Sequence, residues 1–202
     1  MVVFDKAYWL EHGKTYKDEI DFTGPAYQAQ EKALLSVLSN LEFESVLEVG
    51  AGFGRITRLL VNSGFQGDYL ATDVSNDALD ELNKYMGQTQ AVSRTLLDLD
   101  SANSEDYDKK WDLVLSVEVL MHRDNLIKDI RTLLSLSKKY VVIVGWWHPT
   151  FKGEAPGCYH HDLFKFTDLI TQNQVMAFDI PGVKQAIWVI TKGSEVEQEE
   201  TV

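Results

Sequence analysis

Short apolar runs alternate with amphipathic helical patterns along most of the chain. The helical patterns cover residues 27–41, 55–62, 76–86 and 126–136, and the apolar runs cover residues 45–49, 68–72, 91–97, 113–117 and 140–145. Because the runs are rich in β-branched residues and apolar at consecutive positions, they predict strands that are buried on both faces. Strands that alternate with helices predict a parallel sheet covered by helices.

The end of the chain departs from this alternation. After a helical pattern at residues 164–172, strands are predicted at residues 175–180 and 185–191, separated by Pro181-Gly-Val-Lys184. This connection is too short for a parallel crossover and predicts an antiparallel hairpin. We therefore predict a three-layer, doubly wound α/β fold with a mostly parallel seven-stranded sheet and an antiparallel C-terminal hairpin.

Length and composition indicate one domain. The chain has 202 residues, of which 45% are hydrophobic, enough for a single sizeable core. We expect the domain to cover residues 1–192, with a helical or lid segment at 1–42 and a Rossmann-like core at 43–192. Residues 193–202 are acidic and poor in apolar groups, so we expect a flexible tail.

Charge and cysteine content narrow the partners. The formal net charge is -12 and the pI is near 4.8, which opposes nucleic-acid binding because that requires clustered lysine and arginine. No apolar run approaches the roughly 20 residues of a membrane-spanning helix. The one cysteine, Cys158, cannot form an internal disulfide. We expect a cytoplasmic monomer or homodimer without a nucleic-acid or membrane partner.

A glycine-rich stretch follows the first predicted strand. It reads Val46-Leu-Glu-Val-Gly-Ala-Gly-Phe-Gly-Arg-Ile-Thr57. A dinucleotide fingerprint requires its third glycine at the position of Arg55, and a phosphate-binding P-loop requires a Gly-Lys-Ser/Thr ending that is missing here. Glu48 would repel a pyrophosphate and attract an ammonium group. The stretch therefore favours a ligand other than a dinucleotide.

Several motifs, taken in order, resemble those of the class I S-adenosylmethionine-dependent methyltransferases. Val46 to Gly54 is similar to their first motif, and Asp73 stands where their ribose-binding acid ends the second strand. Trp111-Asp-Leu-Val-Leu-Ser-Val-Glu-Val-Leu-Met-His122 is similar to their fourth-strand motif, and the terminal hairpin to their reversed last strand. The resemblance implies S-adenosylmethionine as cofactor and methyl transfer to nitrogen or oxygen by in-line displacement.

The resemblance also implies individual roles at the strand ends. The glycines would let the backbone approach the cofactor, and Glu48 would bind its ammonium group. Asp73 would accept hydrogen bonds from the ribose hydroxyls. Asp98, with Asp100 as the alternative, would accept one from the adenine amino group. The full predicted cofactor-binding set is Glu48, Gly50, Gly52, Gly54, Asp73, Val74, Asp98, Leu99, Ser116 and Val117.

Two of these residues have structural alternatives. An aspartate that ends a strand commonly caps the next helix, which would explain Asp73 without a ligand. Glu48 could instead be the partner of a buried polar group. The N-terminal aromatic residues also allow two explanations, since they could form a lid over the cofactor or simply pack against the domain; they are Tyr8, Trp9 and Tyr16.

The loop after the fifth predicted strand, residues 146–162, is rich in aromatic and titratable side chains. Such a surface suits a small, partly apolar acceptor. A hydroxyl acceptor needs a general base, for which we rank His148 first and His161 second; a solvated histidine is the ordinary alternative. We expect no metal, because adjacent histidines on extended backbone point apart. The predicted acceptor-binding residues are Tyr16, His122, Trp146, Trp147 and Tyr159.

The acceptor class follows from what the chain does not carry. No Asn/Asp-Pro-Pro-Tyr/Phe stretch follows the fourth strand, where Ser116-Val-Glu-Val119 stands, so adenine amines and glutamine amides are disfavoured as acceptors. We therefore expect a small-molecule acceptor, with N- and O-methylation both open. The alternatives are a non-catalytic cofactor-binding module and another enzyme on the same scaffold, either an aminopropyltransferase or an NAD-dependent oxidoreductase.

Overall fold

A computed structural model describes residues 4–86, 92–102, 110–145, 158–159 and 173–193. The helices are α1 (Lys6–His12), α2 (Tyr16–Glu19), α3 (Pro25–Leu38), α4 (Arg55–Asn62), α5 (Asn76–Met86) and α6 (Leu126–Leu136). The strands are β1 (Ser45–Val49), β2 (Asp68–Asp73), β3 (Ser93–Leu96), β4 (Trp111–Val117), β5 (Ser137–Gly145), β6 (Asn173–Asp179) and β7 (Ala186–Lys192). The helix predicted at residues 164–172 and the acidic tail beyond Gly193 lie outside the described residues.

Within the described residues, seven strands form one sheet in the order β3-β2-β1-β4-β5-β7-β6. Strands β1 to β5 pair in parallel, whereas β7 runs antiparallel to both β5 and β6. The prediction of a mostly parallel sheet with an antiparallel C-terminal hairpin is therefore confirmed. The strand order reverses between β1 and β4, and open α/β sheets bind ligands at the carboxyl ends of the strands beside such a switch point.

Helices cover both faces of the sheet, which gives the three predicted layers. On one face, Leu34 of α3, Leu60 of α4 and Leu82 of α5 belong to one buried cluster with inward-facing strand residues. On the other face, Ile130 and Leu133 of α6 belong to a second cluster. Burial on both sides explains why β1 and β4 are continuously apolar in sequence.

Most predicted elements lie within a few residues of the observed ones. β1, α4 and α6 have the predicted bounds. The helix predicted at residues 27–41 begins instead at Pro25, since proline at the first helical position loses no hydrogen bond. β5 begins at Ser137, directly after α6, so it is longer than predicted.

The N-terminal segment, defined as residues 4–24, lies across the carboxyl ends of the strands. Asp5 caps α1 by accepting a hydrogen bond from the backbone N–H of Tyr8 at 3.0 Å. Gly13 packs tightly against Ser75, since a Cβ on Gly13 would lie 2.2 Å from the Ser75 Oγ. This placement brings N-terminal side chains to the edge of the sheet where ligands bind. None of the helices described is both long and apolar enough to cross a membrane.

Candidate functional site

A cavity of about 700 Å³ opens above the carboxyl ends of β1, β2 and β4. Its volume lies within the roughly 300–1,000 Å³ typical of small-molecule sites. Its walls come from the N-terminal segment, the glycine loop (residues 50–54), the ends of β2 and β3, and the turn after β4. The fold therefore brings together most of the described residues that the sequence predicts to be functional.

The first two glycines of the loop allow other parts of the chain to approach closely. Gly50 and Gly52 have φ of 76° and 56°, in the left-handed region that favours glycine. A Cβ on Gly50 would lie 2.1 Å from Cγ2 of Val119, and one on Gly52 would lie 1.7 Å from the Tyr16 hydroxyl oxygen. The turn after β4 and the N-terminal segment therefore both rest on this loop.

The third glycine, Gly54, has a role in packing. It precedes α4 with φ of 91°, and a Cβ there would lie 2.8 Å from Cγ of Leu82 on α5. Gly54 is not among the residues that line the cavity. Its position is thus explained by the close approach of α4 and α5, which the sequence does not reveal.

Glu48 is 2% exposed and serves as a structural partner. Its Oε2 accepts hydrogen bonds from Thr57 Oγ1 at 2.5 Å and from the Tyr69 hydroxyl at 2.7 Å, which joins β1 to α4 and β2. Burial raises the pKa of Glu48, and these two hydrogen bonds oppose the rise. Glu48 also lines the cavity, and its Oε1 accepts no hydrogen bond from the described residues. That oxygen remains available to a ligand.

Asp73 is held in position by backbone amides on both sides. Its Oδ2 accepts from the N–H of Gly52 at 2.9 Å, and its Oδ1 accepts from the N–H of Ser75 at 2.9 Å. The cap of α5 is provided by Ser75, whose Oγ accepts from the N–H of Ala78 at 3.3 Å. Burial raises the pKa of Asp73, against the effect of the amide hydrogen bonds. Each carboxylate oxygen retains a second lone pair, so Asp73 can still bind hydroxyl groups at the cavity wall.

Asp98 lies at the end of the cavity formed by β3. Its Oδ2 pairs with Nζ of Lys6 at 2.5 Å, and its Oδ1 accepts from the N–H of Asp100 at 3.0 Å. Partial burial would raise the pKa of Asp98, but the hydrogen bonds from Lys6 and Asp100 outweigh it and lower the pKa. Asp100 instead pairs with Arg123 at 2.6 Å. The neighbouring Leu99 and Val74, which follows β2, also form part of the wall.

Of the two residues predicted at the end of β4, Ser116 and Val117, only Val117 lines the cavity. Ser116 is fully buried in the sheet and does not line the cavity, because the pleat turns it to the opposite face from Val117. Val117 does line the cavity, followed by Glu118 and Val119. The Oγ of Ser116 has no hydrogen-bond partner among the described residues.

The predicted acceptor-binding residues are only partly described. Tyr16, His122 and Tyr159 all line the cavity. His122 lies beside Phe4 and Trp9, with ring centroids 5.5 Å and 5.3 Å away. The other predicted residues lie outside the described residues; they are Trp146, Trp147, His148 and His161. In the part of the chain that is described, no group of three metal-ligating side chains occurs.

The structure adds a polar network that the sequence did not reveal. Arg55 forms ion pairs with Glu31 at 3.0 Å and Glu118 at 3.4 Å, and its guanidinium lies over the rings of Tyr27 and Phe22. Glu118 has a φ of 59°, the one positive φ among the described non-glycine residues. Such a conformation costs about 1–3 kcal/mol and is found mostly at functional sites. No local sequence pattern predicts it.

A protein-family model and two curated proteins match this sequence. Residues 47–140 match the model of a methyltransferase domain. The chain is 28% identical over 159 residues to a phosphoethanolamine N-methyltransferase of Triticum aestivum. This alignment covers 77% of this chain and 30% of that protein. A second such enzyme, from Arabidopsis thaliana, is 27% identical over 145 residues and is covered to 29%. The chain thus spans less than a third of the length of these curated relatives.

Solved structures match over nearly the whole chain. The N-methyltransferase NodS from Bradyrhizobium japonicum WM9, in complex with S-adenosyl-L-homocysteine, superposes with a TM-score of 0.76 at 16% identity, covering 94% of this chain and 99% of NodS. Magnesium protoporphyrin IX methyltransferase from Synechocystis PCC 6803 superposes with a TM-score of 0.70 at 15% identity, covering 94% and 100%. The fold is that of the class I S-adenosylmethionine-dependent methyltransferases.

The region that matches the family model contains most of the cofactor-binding residues predicted from the sequence. The match at residues 47–140 contains the glycine loop, Asp73, Asp98 and the turn after β4. The last strand, β7, runs antiparallel to both β5 and β6, so it is reversed as the resemblance implies. The methyltransferase fold predicted from the sequence is therefore confirmed.

Proposed function

We propose that this protein transfers the methyl group of S-adenosylmethionine to nitrogen or oxygen of a small-molecule acceptor. The observation that carries the proposal is the position of the Asp73 carboxylate, held 2.9 Å from the N–H of Gly52 at the wall of the 700 Å³ cavity. The same wall carries Glu48 and Asp98, so hydrogen-bond acceptors line three parts of one site.

The residues of the cavity fit this cofactor. Asp73 would accept hydrogen bonds from its ribose hydroxyls, Oε1 of Glu48 would accept from its ammonium group, and Asp98 would accept from its adenine amino group. Bound there, S-adenosylmethionine would supply a methyl group activated by an adjacent sulfonium. Val74 and Leu99 would provide apolar contacts for the adenine ring. Gly54 is assigned to helix packing and Ser116 to the sheet interior, so neither is part of this proposal.

The remaining walls exclude water and orient the acceptor. Tyr16 lies on the glycine loop, and burial raises its pKa, so its hydroxyl stays protonated. Val119 and Met121, from the turn after β4, provide apolar surface beside it. Holding an acceptor against such a wall supplies the alignment that in-line displacement requires. Of the two explanations for the N-terminal aromatic residues, we therefore propose a cover over the site.

A nitrogen acceptor has the better support. Three of the matched proteins are N-methyltransferases: those from Triticum aestivum and Arabidopsis thaliana, and NodS. A small molecule, and not nucleic acid, fits the net charge of -12. Composition also favours a cytoplasmic monomer or homodimer without a membrane partner. If the acceptor is a hydroxyl, His148 is the first candidate base and His161 the second, and full turnover by His148→Ala would remove His148 from that role.

Calorimetric titration with S-adenosylhomocysteine and with NAD tests the proposal. We expect S-adenosylhomocysteine to bind and NAD not to bind, because the loop has no third dinucleotide glycine. Tight binding of NAD alone would overturn the proposal in favour of an oxidoreductase. Transfer of labelled methyl groups to a metabolite mixture distinguishes a methyltransferase from a non-catalytic binding module, and transfer from decarboxylated S-adenosylmethionine would identify an aminopropyltransferase.

A further inference from the structure

The carboxylate of Glu118 lies at the cavity wall directly after β4. Its side chain is 18% exposed, and it lines the cavity beside Val119. Val119 in turn rests on Gly50, so Glu118 is adjacent to the glycine loop. Its φ of 59° is unfavourable for any residue with a Cβ. A strained backbone that directs a partly exposed carboxylate to a ligand cavity indicates a binding function.

Neighbouring amides fix this carboxylate. Its Oε1 accepts a hydrogen bond from Nε2 of Gln185 at 2.7 Å, and Gln185 accepts one from Nε2 of Gln30 at 2.6 Å. Gln30 accepts from Nη2 of Arg55 at 2.5 Å. The chain of bonds joins α3, α4, the turn after β4 and the β6–β7 connection. It leaves the Glu118 side chain little freedom to move, which suits a group that orients a ligand.

Arg55 does not fully neutralise Glu118. The contact between Arg55 and Glu118 measures 3.4 Å, whereas Arg55 lies 3.0 Å from Glu31. Two carboxylates therefore share one guanidinium, and Glu118 is the more distant. Each of its oxygens keeps a second lone pair, and Glu118 lines a cavity that contains further acidic groups.

The whole cavity has an excess of acidic groups. Among the described residues that line it, seven carry carboxyl groups and three carry cationic groups. All three cations are paired with carboxylates: Lys6 with Asp98 at 2.5 Å, Arg55 with Glu31 at 3.0 Å, and Arg123 with Asp100 at 2.6 Å. No described cation of the wall is left to bind a phosphate or carboxylate on the acceptor. The charge distribution instead complements an amine.

We propose that Glu118 binds the amino group of the acceptor, and that the acceptor is an amine without a phosphate or carboxylate group. This inference rests on the proposed function. During transfer, the nitrogen lone pair forms the new N–C bond, the C–S bond breaks with its electron pair going to sulfur, and the positive charge passes to nitrogen. Because only the neutral amine has this lone pair, the amine gives its extra proton to water before transfer, and the methylated product is then an ammonium at neutral pH. A carboxylate beside that nitrogen stabilises the charge as it develops.

The first experiment measures binding without turnover. Three probes share a phenyl group and a two-carbon chain but differ in their head groups: 2-phenylethylamine, 2-phenylethanol and 3-phenylpropionate. Each is titrated into the protein saturated with S-adenosylhomocysteine. We expect the amine to bind at least about tenfold more tightly than the carboxylate, with the alcohol between them. Equal affinities, or a preference for the carboxylate, would overturn the inference.

Two variants distinguish direct binding by Glu118 from an indirect effect through Arg55. Glu118→Gln keeps the shape of the side chain and removes its charge, and we expect it to abolish most of the preference for the amine. Glu31→Gln removes the other carboxylate bound to Arg55. Unlike Arg55, Glu31 does not line the cavity. We expect it to change the preference by less than about threefold. The same loss in both variants would mean that Glu118 acts only through Arg55, and the inference would be wrong.

A second experiment identifies the acceptor class directly. The protein is incubated with labelled S-adenosylmethionine and a small-molecule cell extract, and the labelled product is passed over cation- and anion-exchange resins at neutral pH. We expect the label on the cation exchanger, and at least about tenfold less of it with Glu118→Gln. Label on the anion exchanger or in the flow-through would overturn the inference. Failure of the unmodified protein to bind S-adenosylhomocysteine would instead overturn the proposed function itself.

Discussion

The hydroxyl of Tyr16 accepts a hydrogen bond from the backbone N–H of Phe53 at 3.0 Å. One residue belongs to the N-terminal segment and the other to the glycine loop, so this bond closes the segment over the site. The same hydroxyl occupies the space that a side chain on Gly52 would need. A glycine in the loop and a tyrosine far away in sequence are therefore parts of one contact.

Replacement of Tyr16 by phenylalanine tests this contact. Tyr16→Phe keeps the ring but leaves the N–H of Phe53 without its partner, so we expect a loss of about 1 kcal/mol in the free energy of unfolding. Because burial raises the pKa of Tyr16, the hydroxyl remains neutral and the loss should not change with pH in the neutral range. Urea unfolding measures it. The matched control is Tyr85→Phe, on a ring that is 42% exposed. Equal stability of the two variants would contradict the contact.

Gly54 and Gly64 provide a matched pair for testing helix packing. Both have positive φ, 91° and 97°, but a Cβ on Gly54 would lie 2.8 Å from Cγ of Leu82, whereas a Cβ on Gly64 meets nothing within 4 Å. Gly64→Ala should cost about 1–2 kcal/mol through backbone strain alone. Gly54→Ala should cost about 1–3 kcal/mol more, because it also overpacks the contact between α4 and α5. Thermal or urea unfolding measures both losses of stability. Equal losses would show that Leu82 can move aside at no energetic cost, contrary to this prediction.

Asp73→Ala tests the ribose-binding role. Loss of the carboxylate removes the proposed acceptors for two hydroxyl groups, so we expect the dissociation constant of S-adenosylhomocysteine to rise more than tenfold, about 1.4 kcal/mol. Because Asp73 also accepts from Gly52 and Ser75, unfolding must be measured alongside binding. Asp77→Ala, at an exposed position on α5, is the control. A folded Asp73→Ala protein with an unchanged dissociation constant would exclude the role.

Glu48 should make stability depend on pH. Burial raises its folded-state pKa above the ordinary value of 4.5. The stability that the protonated form contributes is therefore fully present below the unfolded pKa and is lost as the pH rises through the folded pKa. Glu48→Gln cannot ionise and keeps an oxygen for Thr57 and Tyr69. We expect its stability relative to the unmodified protein to increase as the pH rises from the ordinary pKa of 4.5 through the raised folded-state pKa, and then to level off.

Urea unfolding at several pH values measures this difference. The other carboxyl groups with a raised pKa, Asp73 and Glu118 among them, are present in both proteins, so their titration cancels to a first approximation. A difference that is constant across the range would show that Glu48 titrates normally. If Glu48 also binds an ammonium group, the same variant should bind S-adenosylhomocysteine more weakly at neutral pH while being more stable.

The sequence alone determined the sheet, the hairpin and the type of site. Periodicity and turn residues act over a few positions, so β1, α4 and α6 were predicted with the observed bounds. The four residues between the last two predicted strands, Pro181-Gly-Val-Lys184, required an antiparallel hairpin on length alone. The spacing of Glu48, the glycines and Asp73 along the chain indicated the methyltransferase class. The predicted bases His148 and His161 lie outside the described residues and remain predictions.

Only the tertiary structure decided which groups surround the site. The hydrogen bond between Gln30 and Gln185 joins residues 155 positions apart, and no local pattern contains that information. The left-handed conformation of Glu118 likewise arises from packing around it, since nothing in its side chain favours a positive φ. The strand pleat turned Ser116 away from the cavity. Leu82 packs so close to Gly54 that a Cβ there has no room. Sequence periodicity specifies which face a residue takes, whereas contacts between distant segments depend on how the faces meet.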